Sequence, residues 1–243
     1  MSFLYDLKKK LLFYRDIYMH YWKFGRHYKM LATNIGDSSS IPKHIHYCWF
    51  GPNEMDEKSK LCIQSWKDKL PDYDLILWNE SNFPFERYPF AAQALQDGKW
   101  AFVADVARLH ALYYYGGIYM DTDMEVLKSL DVFLKHGFFS GFESVKHVSA
   151  GIMGAQPGNG YAKLLLDWYI DKHYGKMYYD IAITRIITKI TRVCCGLVRT
   201  GKKVEFSDCC IYSPEVFYPR RSDDKWEVCE TTYTIHHFVA SWK

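Results

Sequence analysis

The feature that most constrains the fold is a short apolar segment that follows two glycines and ends in two aspartates. The segment runs from Tyr115 to Asp123, and one residue separates Asp121 from Asp123. The glycines mark a break after a helical stretch, and the apolar residues after them indicate a buried strand. If extended geometry continued through the aspartates, alternation would place both carboxylates on one side. The segment therefore predicts two adjacent carboxylates at the end of a strand.

Two neighbouring carboxylates repel each other unless a cation or hydrogen-bond donors lie between them. A Mg²⁺ or Mn²⁺ ion meets this need, because it binds one or two protein carboxylates and completes its shell with substrate phosphates. A metal with a phosphorylated substrate is thus the first hypothesis. The Asp-x-Asp triplet alone is a weak signal, since most such triplets are solvated loop residues. The surrounding sequence has to distinguish the two interpretations.

The segments before the aspartates alternate between strand and helix patterns. The sequence predicts a strand from Ile41 to Gly51, a helix over 54–69 and a second strand over 74–79. This order predicts a parallel sheet, in which ligands bind beyond the carboxyl ends of the strands. Trp49 would then lie at the mouth of such a site. It either stacks on a nucleotide base or closes the edge of the core.

A strongly helical stretch over 100–115 precedes the glycines. Asp105 and Arg108 lie three residues apart in it and are neighbours on the helix surface. They form either a surface ion pair of little energetic consequence or a charged pair that orients the hydroxyls of a sugar. Glu143 ends another apolar strand, where it is either solvated or in contact with the ligand.

The basic charge of the chain is concentrated in its first residues. The net charge is +3, whereas residues 1–30 hold seven Lys and Arg against two Asp, a balance of +5, so the remainder carries −2. The small total does not indicate a nucleic-acid partner. Apolar residues recur at helical spacing over 2–32. This basic amphipathic segment either lies on an anionic membrane surface or packs on its own domain.

The polar residues over 34–40 predict a linker. We therefore divide the chain into a helical extension with its linker over 1–40 and a catalytic domain over 41–243. The sequence lacks a run of about 18 apolar residues, and its first ten residues do not resemble a secretory signal. Seven cysteines without a zinc pattern favour reduced thiols. We expect a cytoplasmic protein that is peripheral on the inner face of the membrane.

A spaced set of motifs runs through residues 41–160, and two further short motifs lie near the end of the chain. An Asp-x-x-Arg pair followed by Gly-Gly-Ile-Tyr-x-Asp-x-Asp is a highly specific combination. With these motifs the chain resembles glycosyltransferase family 32, the group whose sugar-binding region contains a DXD motif. The positions that carry the resemblance are Ile41-Pro42-Lys43, Ile45-His46, Trp49, Gly51, Ser65-Trp66, Trp78-Asn79, Asp105, Arg108, Gly116 to Tyr119, Asp121, Asp123, His236-His237 and Ser241-Trp242.

The resemblance implies a GT-A fold, which is an α/β architecture with a mainly parallel central sheet flanked by helices. It also implies a retaining, metal-dependent transfer from a nucleotide sugar. Trp49 would stack on the nucleotide base, and Asp105 and Arg108 would hold hydroxyls of the donor sugar. Asp121 would contact the ribose and the sugar, and Asp123 would bind Mn²⁺ or Mg²⁺ directly. We expect Arg108, Asp121 and Asp123 to be the catalytic residues.

The resemblance also assigns roles to residues near the C-terminus. One of the two adjacent histidines would complete the metal shell, and we expect His237 rather than His236 to do so. Ser241 and Trp242 would close on the diphosphate of the donor. These residues extend the donor site beyond the region of the DXD motif.

The expected reaction moves a hexose or N-acetylhexosamine from a nucleotide-diphosphate sugar, with a UDP-sugar preferred, to a saccharide or lipid-linked acceptor. The expected setting is the synthesis of a bacterial surface polysaccharide. Two other hypotheses stay open. One is a metal-dependent nucleotidyltransferase or phosphodiesterase that uses the same aspartates. The other is a non-catalytic module that binds a sugar or a lipid.

Overall fold

The computed structural model describes residues 2–26, 40–175, 181–222 and 225–239. In these residues the helices are α1 (Ser2–His20), α2 (Glu57–Lys69), α3 (Pro89–Gln96), α4 (Trp100–Tyr115), α5 (Gly160–Ile170), α6 (Ile183–Cys195) and α7 (Pro214–Phe217). The strands are β1 (His44–Cys48), β2 (Asp74–Trp78), β3 (Gly117–Met120), β4 (Met124–Val126), β5 (Phe138–Ser144), β6 (His147–Ala155), β7 (Val204–Phe206), β8 (Cys209–Tyr212), β9 (Arg221–Ser222), β10 (Lys225–Trp226) and β11 (Thr234–His236).

A seven-stranded sheet in the order β2-β1-β3-β6-β5-β8-β7 forms the centre of the fold. Five of these strands run in one direction, while β6 and β7 run in the opposite one. The parallel pairing of β1 with β2 confirms the predicted strand–helix–strand unit. β6 is antiparallel because a short hairpin joins it to β5, and such a connection cannot link parallel neighbours.

Helices cover both faces of the sheet, as expected for an α/β protein. Along β3, Tyr119 enters one hydrophobic core, while Ile118 and Met120 enter the other. The Tyr119 side is packed by α3, α4, α5 and α6. The opposite side is packed by α2 and α7, next to the small ribbon in which β4 pairs with β11. The expected α/β architecture with a mainly parallel sheet is confirmed.

The sequence did not distinguish helix from strand over 180–198, and the structure forms α6 there. Its isoleucines favour a strand by local propensity, because β-branched side chains are stiff in a helix. Their spacing nevertheless places Ile183, Ile186, Ile187 and Ile190 on one buried face. Tertiary packing of that face decides the outcome. Gly196 ends the helix in the left-handed conformation, with φ of 74°.

The N-terminal helix packs on the rest of the protein through one face. Ile17 is buried in the same core as α3 to α6. The His20 ring, kept neutral by burial that lowers its pKa to about 4, donates from Nε2 to the Leu164 carbonyl oxygen at 2.9 Å. Gly25 lies so close to α6 that a Cβ there would be 2.7 Å from Cys194 Sγ. The predicted linker lies outside the described residues.

None of the described helices combines the length and the apolar character that a membrane crossing requires.

Candidate active site

The two aspartates of the DXD motif lie in a turn between β3 and β4. Met124 N–H donates to the Asp121 carbonyl oxygen at 3.0 Å, which closes the turn, and Asp121 N–H donates to the Gly151 carbonyl oxygen at 2.8 Å. Extended geometry therefore stops at Met120, and the expectation that strand alternation aligns the carboxylates is wrong. The carboxylates come together because the chain turns between them.

Two glycines and a buried histidine set the position of β3. Gly116 and Gly117 have φ of 65° and 105°, and a Cβ on Gly117 would lie 2.8 Å from the His44 carbonyl oxygen. His46 donates from Nε2 to the Gly116 carbonyl oxygen at 2.7 Å and accepts from Trp78 Nε1 at 3.1 Å. Burial lowers the pKa of His46 to about 4, so the ring is neutral and holds both bonds. These motif residues therefore have a structural role, because their contacts fix the position of β3.

The other side of the turn rests on α2. Trp66 donates from Nε1 to the Met124 carbonyl oxygen at 2.6 Å, and Val126 N–H donates to Ser65 Oγ at 2.9 Å. The Ser-Trp pair thus fixes β4 immediately after the aspartates. This gives a structural reason for a motif to which the sequence alone assigned no role.

Asp123 is held by the last residue of β11 and by the chain segment that follows it. His236 Nε2 lies 3.0 Å from Asp123 Oδ1, and Val239 N–H donates to Asp123 Oδ2 at 2.9 Å. Burial raises the pKa of Asp123, but the hydrogen bond and the charge of His236 outweigh burial and lower it overall. Conversely, burial lowers the pKa of His236, and the Asp123 carboxylate raises it overall. The two groups thus stabilise each other's charged forms.

His237 occupies the opposite face of β11. Its Nε2 lies 2.8 Å from Glu125 Oε2, whereas His236 faces Asp123. The antiparallel pairing of β11 with β4 produces this pattern, because successive side chains point to opposite faces of a strand. The structure thus brings His236, and not the expected His237, to the aspartates that could hold a metal.

The donor set fits a divalent cation. Ligand atoms of Asp121, Asp123 and His236 lie within 4.8 Å of one another. Among the described residues, His236 Nδ1 is buried and has no hydrogen-bond partner. Gly151 leaves space beside them, since a Cβ there would lie 3.1 Å from Asp121 Oδ2 and 3.7 Å from His236 Cε1. Two carboxylates and an imidazole can hold Mn²⁺ or Mg²⁺ together with substrate phosphates.

Arg108 lies at the centre of a buried charged cluster. Its Nη2 is 3.3 Å from Asp105 Oδ1, and its Nη1 is 3.2 Å from Asp121 Oδ1. Nη1 also donates to the Ala150 carbonyl oxygen at 2.8 Å, and the guanidinium lies 4.6 Å from the centre of the Tyr119 ring. The Arg108 and Asp105 side chains are only 7% and 8% exposed, which excludes a surface ion pair. The cluster positions Asp121, to which the Tyr119 hydroxyl also donates at 2.9 Å.

Asp105 is able to act as donor or acceptor near neutral pH. Burial raises its pKa to about 7, although Arg108 opposes the shift, and the charge of Asp121 adds to it. A carboxyl group that titrates near the working pH is a common feature of functional sites. Its position beside Arg108 suits it to contact a sugar hydroxyl.

These groups line one cleft of about 400 Å³. Trp49 lies half-buried on its wall, where its Nε1 donates to the Asn53 carbonyl oxygen at 2.8 Å. Glu143 also lines the cleft, and burial raises its pKa. The predicted site residues that meet in the cleft are Trp49, Asp105, Arg108, Asp121 and Asp123, while Ser241 and Trp242 lie outside the described residues.

Among the cleft residues that the sequence did not identify are Trp100, Gly151 and Phe238. Trp100 begins α4 and packs on the turn after β1, where a Cβ on Gly51 would lie 2.7 Å from its ring. Phe238 lies two residues after His236, and the centres of their rings are 3.9 Å apart with the ring planes tilted by 45°. A glycine or a tryptophan outside a motif has no local sequence pattern that would mark it as part of a binding site.

The two histidines provide a matched test of the metal site. His236→Ala is expected to weaken Mn²⁺ binding by about 10-fold to 100-fold. This is the range seen when groups that support a metal are removed. His237→Ala should change it by less than about 3-fold, because this ring contacts Glu125. Calorimetric titration of each variant with Mn²⁺ measures both values, and thermal unfolding controls for the fold. A larger loss of Mn²⁺ binding in His237→Ala than in His236→Ala would indicate that His237 is the ligand.

Comparison with known proteins agrees with this geometry. Residues 56–139 match the family described as "Glycosyltransferase sugar-binding region containing DXD motif". Two relatives from Schizosaccharomyces pombe are inositol phosphoceramide mannosyltransferase 3, 29% identical over 172 residues, and inositol phosphoceramide mannosyltransferase 2, 33% identical over 147 residues. These alignments cover 65% and 55% of this chain but 42% and 40% of the relatives. The chain thus spans about two fifths of the length of these relatives.

A human relative, alpha-1,4-N-acetylglucosaminyltransferase, is 24% identical over 219 residues, which are 86% of this chain and 59% of that protein. Among solved structures, the PaToxG glycosyltransferase superposes with a TM-score of 0.53 at 18% identity. That superposition covers 77% of this chain and 80% of the other, and it supports the fold. Residues 56–139 are thus similar to the sugar-binding region with the DXD motif of glycosyltransferases, and the chain has the GT-A fold.

Proposed function

We propose that the protein is a metal-dependent glycosyltransferase that moves a hexose or an N-acetylhexosamine from a nucleotide-diphosphate sugar to a glycolipid or saccharide. The observation that carries the proposal is the convergence of Asp121, Asp123 and His236 beside the buried Asp105–Arg108 pair in one cleft. Relatives named as mannosyltransferases of inositol phosphoceramide support a glycolipid acceptor. A role in bacterial surface polysaccharide synthesis stays a prediction.

Different residues of the cleft would bind different parts of the donor. Asp121, Asp123 and His236 would hold a Mn²⁺ or Mg²⁺ ion, which would supply Lewis-acid charge at the diphosphate of the donor. Arg108 fixes the Asp121 carboxylate and contributes positive charge to the same region. Asp105 accepts a hydrogen bond from a sugar hydroxyl, and Trp49 stacks on the base of a UDP-sugar.

We propose that the transfer retains the configuration of the sugar. The bond from the anomeric carbon to the diphosphate breaks, the acceptor oxygen attacks from the same face, and its proton passes to the leaving diphosphate. The contacts of the carboxylates support this route, because Asp105 and Asp121 engage Arg108 and Asp123 engages His236. Glu143, the remaining carboxylate on the described cleft wall, is the candidate for a helper of the acceptor.

A panel of nucleotide sugars tests the proposal. The protein is incubated with UDP-glucose, UDP-galactose, UDP-N-acetylglucosamine or GDP-mannose, each with Mn²⁺, Mg²⁺ or EDTA. Release of a nucleoside diphosphate that requires metal supports glycosyl transfer. Release of a monophosphate or of pyrophosphate would instead favour the phosphodiesterase or nucleotidyltransferase hypothesis. Binding of donor without turnover, across glycolipid and saccharide acceptors, would favour a binding module.

We also propose that α1 and the turn after it contact an anionic membrane surface. Five large side chains at helical spacing are exposed on one side of this segment, opposite the buried Ile17 and His20. Basic side chains accompany them, including the exposed Lys8 and Lys10. An apolar stripe flanked by lysines is typical of helices that lie in the membrane interface. The exposed stripe consists of Leu7, Leu11, Tyr14, Tyr18 and Trp22. The cytoplasmic face remains the predicted location.

The membrane contact is tested with one substitution at two equally exposed leucines. Leu11 on the stripe is 63% exposed, and Leu61 on α2 is 66% exposed. Leu11→Gln is expected to weaken binding to mixed phosphatidylcholine–phosphatidylserine vesicles by about 10-fold, because one leucine no longer enters the apolar region. Leu61→Gln should leave binding unchanged in the same sedimentation assay. Equal effects of the two variants, or no binding by the wild-type protein, would contradict the proposal.

A further inference from the structure

A second, larger cavity lies between α1 and α6, outside the cleft that holds the aspartates. Its volume is about 670 Å³, and residues from α1, α6 and the start of β6 line it. Six Lys and Arg side chains face one carboxylate, Asp6, which leaves an excess of five positive charges. The whole chain has a net charge of only +3, so this groove is a strong local concentration of charge. The basic residues are Lys9, Lys10, Arg185, Lys189, Arg192 and Arg199.

The positive charges of this basic groove act on one another. Burial lowers the pKa of Lys189, and the charges of Arg192 and Arg199 lower it further. Burial likewise lowers the pKa of His147, which also lines the groove, with Arg185 and Arg199 adding to the effect. Within the described part of the chain, the structure shows no ion pair between Arg185, Arg192 or Arg199 and a carboxylate. An anion in the groove would relieve this repulsion.

The basic groove adjoins the proposed catalytic cleft. Ile181, Ala182 and Arg185 line the groove, and Ala182, Ile183 and Thr184 line the cleft. Ala182 therefore belongs to both walls, immediately before the first turn of α6. A ligand with its anionic group in the groove can present a hydroxyl to the cleft past this residue. Tyr14 connects the groove to the membrane side, because it lines the groove and also belongs to the exposed stripe of α1.

We propose that the basic groove binds the phosphate of a lipid-linked acceptor, whose hydroxyl enters the cleft beside Ala182 while its apolar tail lies along the stripe of α1. The inference rests on the proposed glycosyltransferase function and specifies the class of its acceptor. Arginine guanidinium groups match phosphate oxygens in geometry and charge. The adjoining apolar stripe favours a lipid over a soluble phosphate ester, and basic pockets beside membrane-facing helices suit phospholipid head groups.

The test compares two charge-neutralising variants with a matched control. Arg185→Gln combined with Lys189→Gln removes two charges from the groove, whereas Lys67→Gln combined with Lys69→Gln removes two exposed charges from α2. Binding to phosphatidylcholine vesicles that contain phosphatidic acid is measured in EDTA, which excludes any contribution from metal at the aspartates. We expect the groove variant to bind at least about 10-fold more weakly and the control to stay within about 2-fold of wild type.

A second groove variant checks that a loss of vesicle binding is not caused by misfolding of the first variant. Arg192→Gln combined with Arg199→Gln changes two exposed side chains of the same groove and should give a similar loss. Thermal unfolding of every variant is measured in parallel. If vesicle binding weakened equally in the groove variants and in the α2 control, the effect would come from the overall charge of the protein. That result would overturn the inference.

Soluble glycerol 3-phosphate distinguishes the source of the phosphate. Weak calorimetric binding of this compound, beside tight binding to the vesicles, supports the lipid. Binding as tight as that of the vesicles would overturn the lipid assignment in favour of a soluble phosphate ester. Wild-type release of nucleoside diphosphate is followed separately. Vesicle binding that depends on the groove without any turnover counts against the proposed function alone, whereas turnover without such binding counts against this inference alone.

Discussion

Replacing Asp123 with Asn is expected to reduce turnover by about 1000-fold and to leave the fold intact. Loss of one group that stabilises developing charge costs about 100-fold to 1000-fold in other enzymes, and a direct metal ligand belongs at the upper end. The asparagine carbonyl oxygen can still accept the Val239 N–H, and the bond from His237 N–H to the main-chain carbonyl oxygen of residue 123 is kept, so the segment after β11 stays in place. One of the two carboxylate charges that would hold a cation is lost.

The control for Asp123→Asn is Glu125→Gln. Glu125 pairs with His237 on the other face of the same ribbon, so this variant breaks an equivalent carboxylate–histidine contact away from the cleft. Its turnover should stay within about 3-fold of wild type. Steady-state release of nucleoside diphosphate, titrated with Mn²⁺, gives both numbers. An Asp123→Asn protein that kept a tenth of its activity would show that this carboxylate does not bind an essential metal.

Replacing Arg108 with Met is expected to lower the free energy of unfolding by about 3 kcal/mol and to remove activity. Removal of one partner from a buried ion pair leaves the other charge without compensation, which costs about 3–5 kcal/mol. Here the remaining group is Asp105, and the Ala150 carbonyl oxygen loses its donor as well. Asp121 also loses the guanidinium that fixes it. Urea unfolding measures the loss of stability.

The pH dependence of this loss identifies its cause. The pKa of Asp105 is already raised to about 7 by burial, and Arg108 opposes the shift, so removal of Arg108 raises the pKa further. A raised pKa means that the folded state binds a proton that the unfolded state lacks, and stability then falls as pH rises. The deficit should be smaller at pH 5 than at pH 8. Adding Asp105→Asn should recover part of it.

Arg87→Met provides the matched control for Arg108. Arg87 is exposed, stacks on Tyr114 at 4.6 Å and contacts the Tyr114 hydroxyl. The same substitution at this surface site should cost less than about 1 kcal/mol and should not depend on pH. A similar cost at both sites would mean that Arg108 contributes through its size rather than its charge.

Local sequence patterns were sufficient for the elements that lead to the site. The helix over 100–115 coincides with α4, and the predicted strands contain β1 and β2. Each of these elements has a strong periodic pattern and clear breaks at its ends. The Asp-x-x-Arg pair lies on α4, and the aspartates directly follow β3, so their meeting in one cleft follows once the sheet is assembled. The motif spacing therefore carries real geometric information.

Features that depend on long-range contacts could not be predicted from the sequence. Which histidine faces Asp123 is decided by the register of β11 on β4, and a shift of one residue would exchange His236 with His237. The fold of α6 depends on packing rather than propensity. The basic groove joins side chains from α1 with others more than 170 positions later, and no local pattern connects them.

The contacts of the β6 backbone lead us to expect that the site resists local opening. Consecutive carbonyl oxygens of this strand hold the Arg108 guanidinium at Ala150 and the amide of Asp121 at Gly151. Because β6 lies in the interior of the sheet, these contacts belong to the last unit of the protein to open. In hydrogen–deuterium exchange, the amide of Asp121 should therefore exchange as slowly as the core strands. The DXD turn would then be among the most protected turns of the protein, in contrast to the mobile loops that often surround substrates.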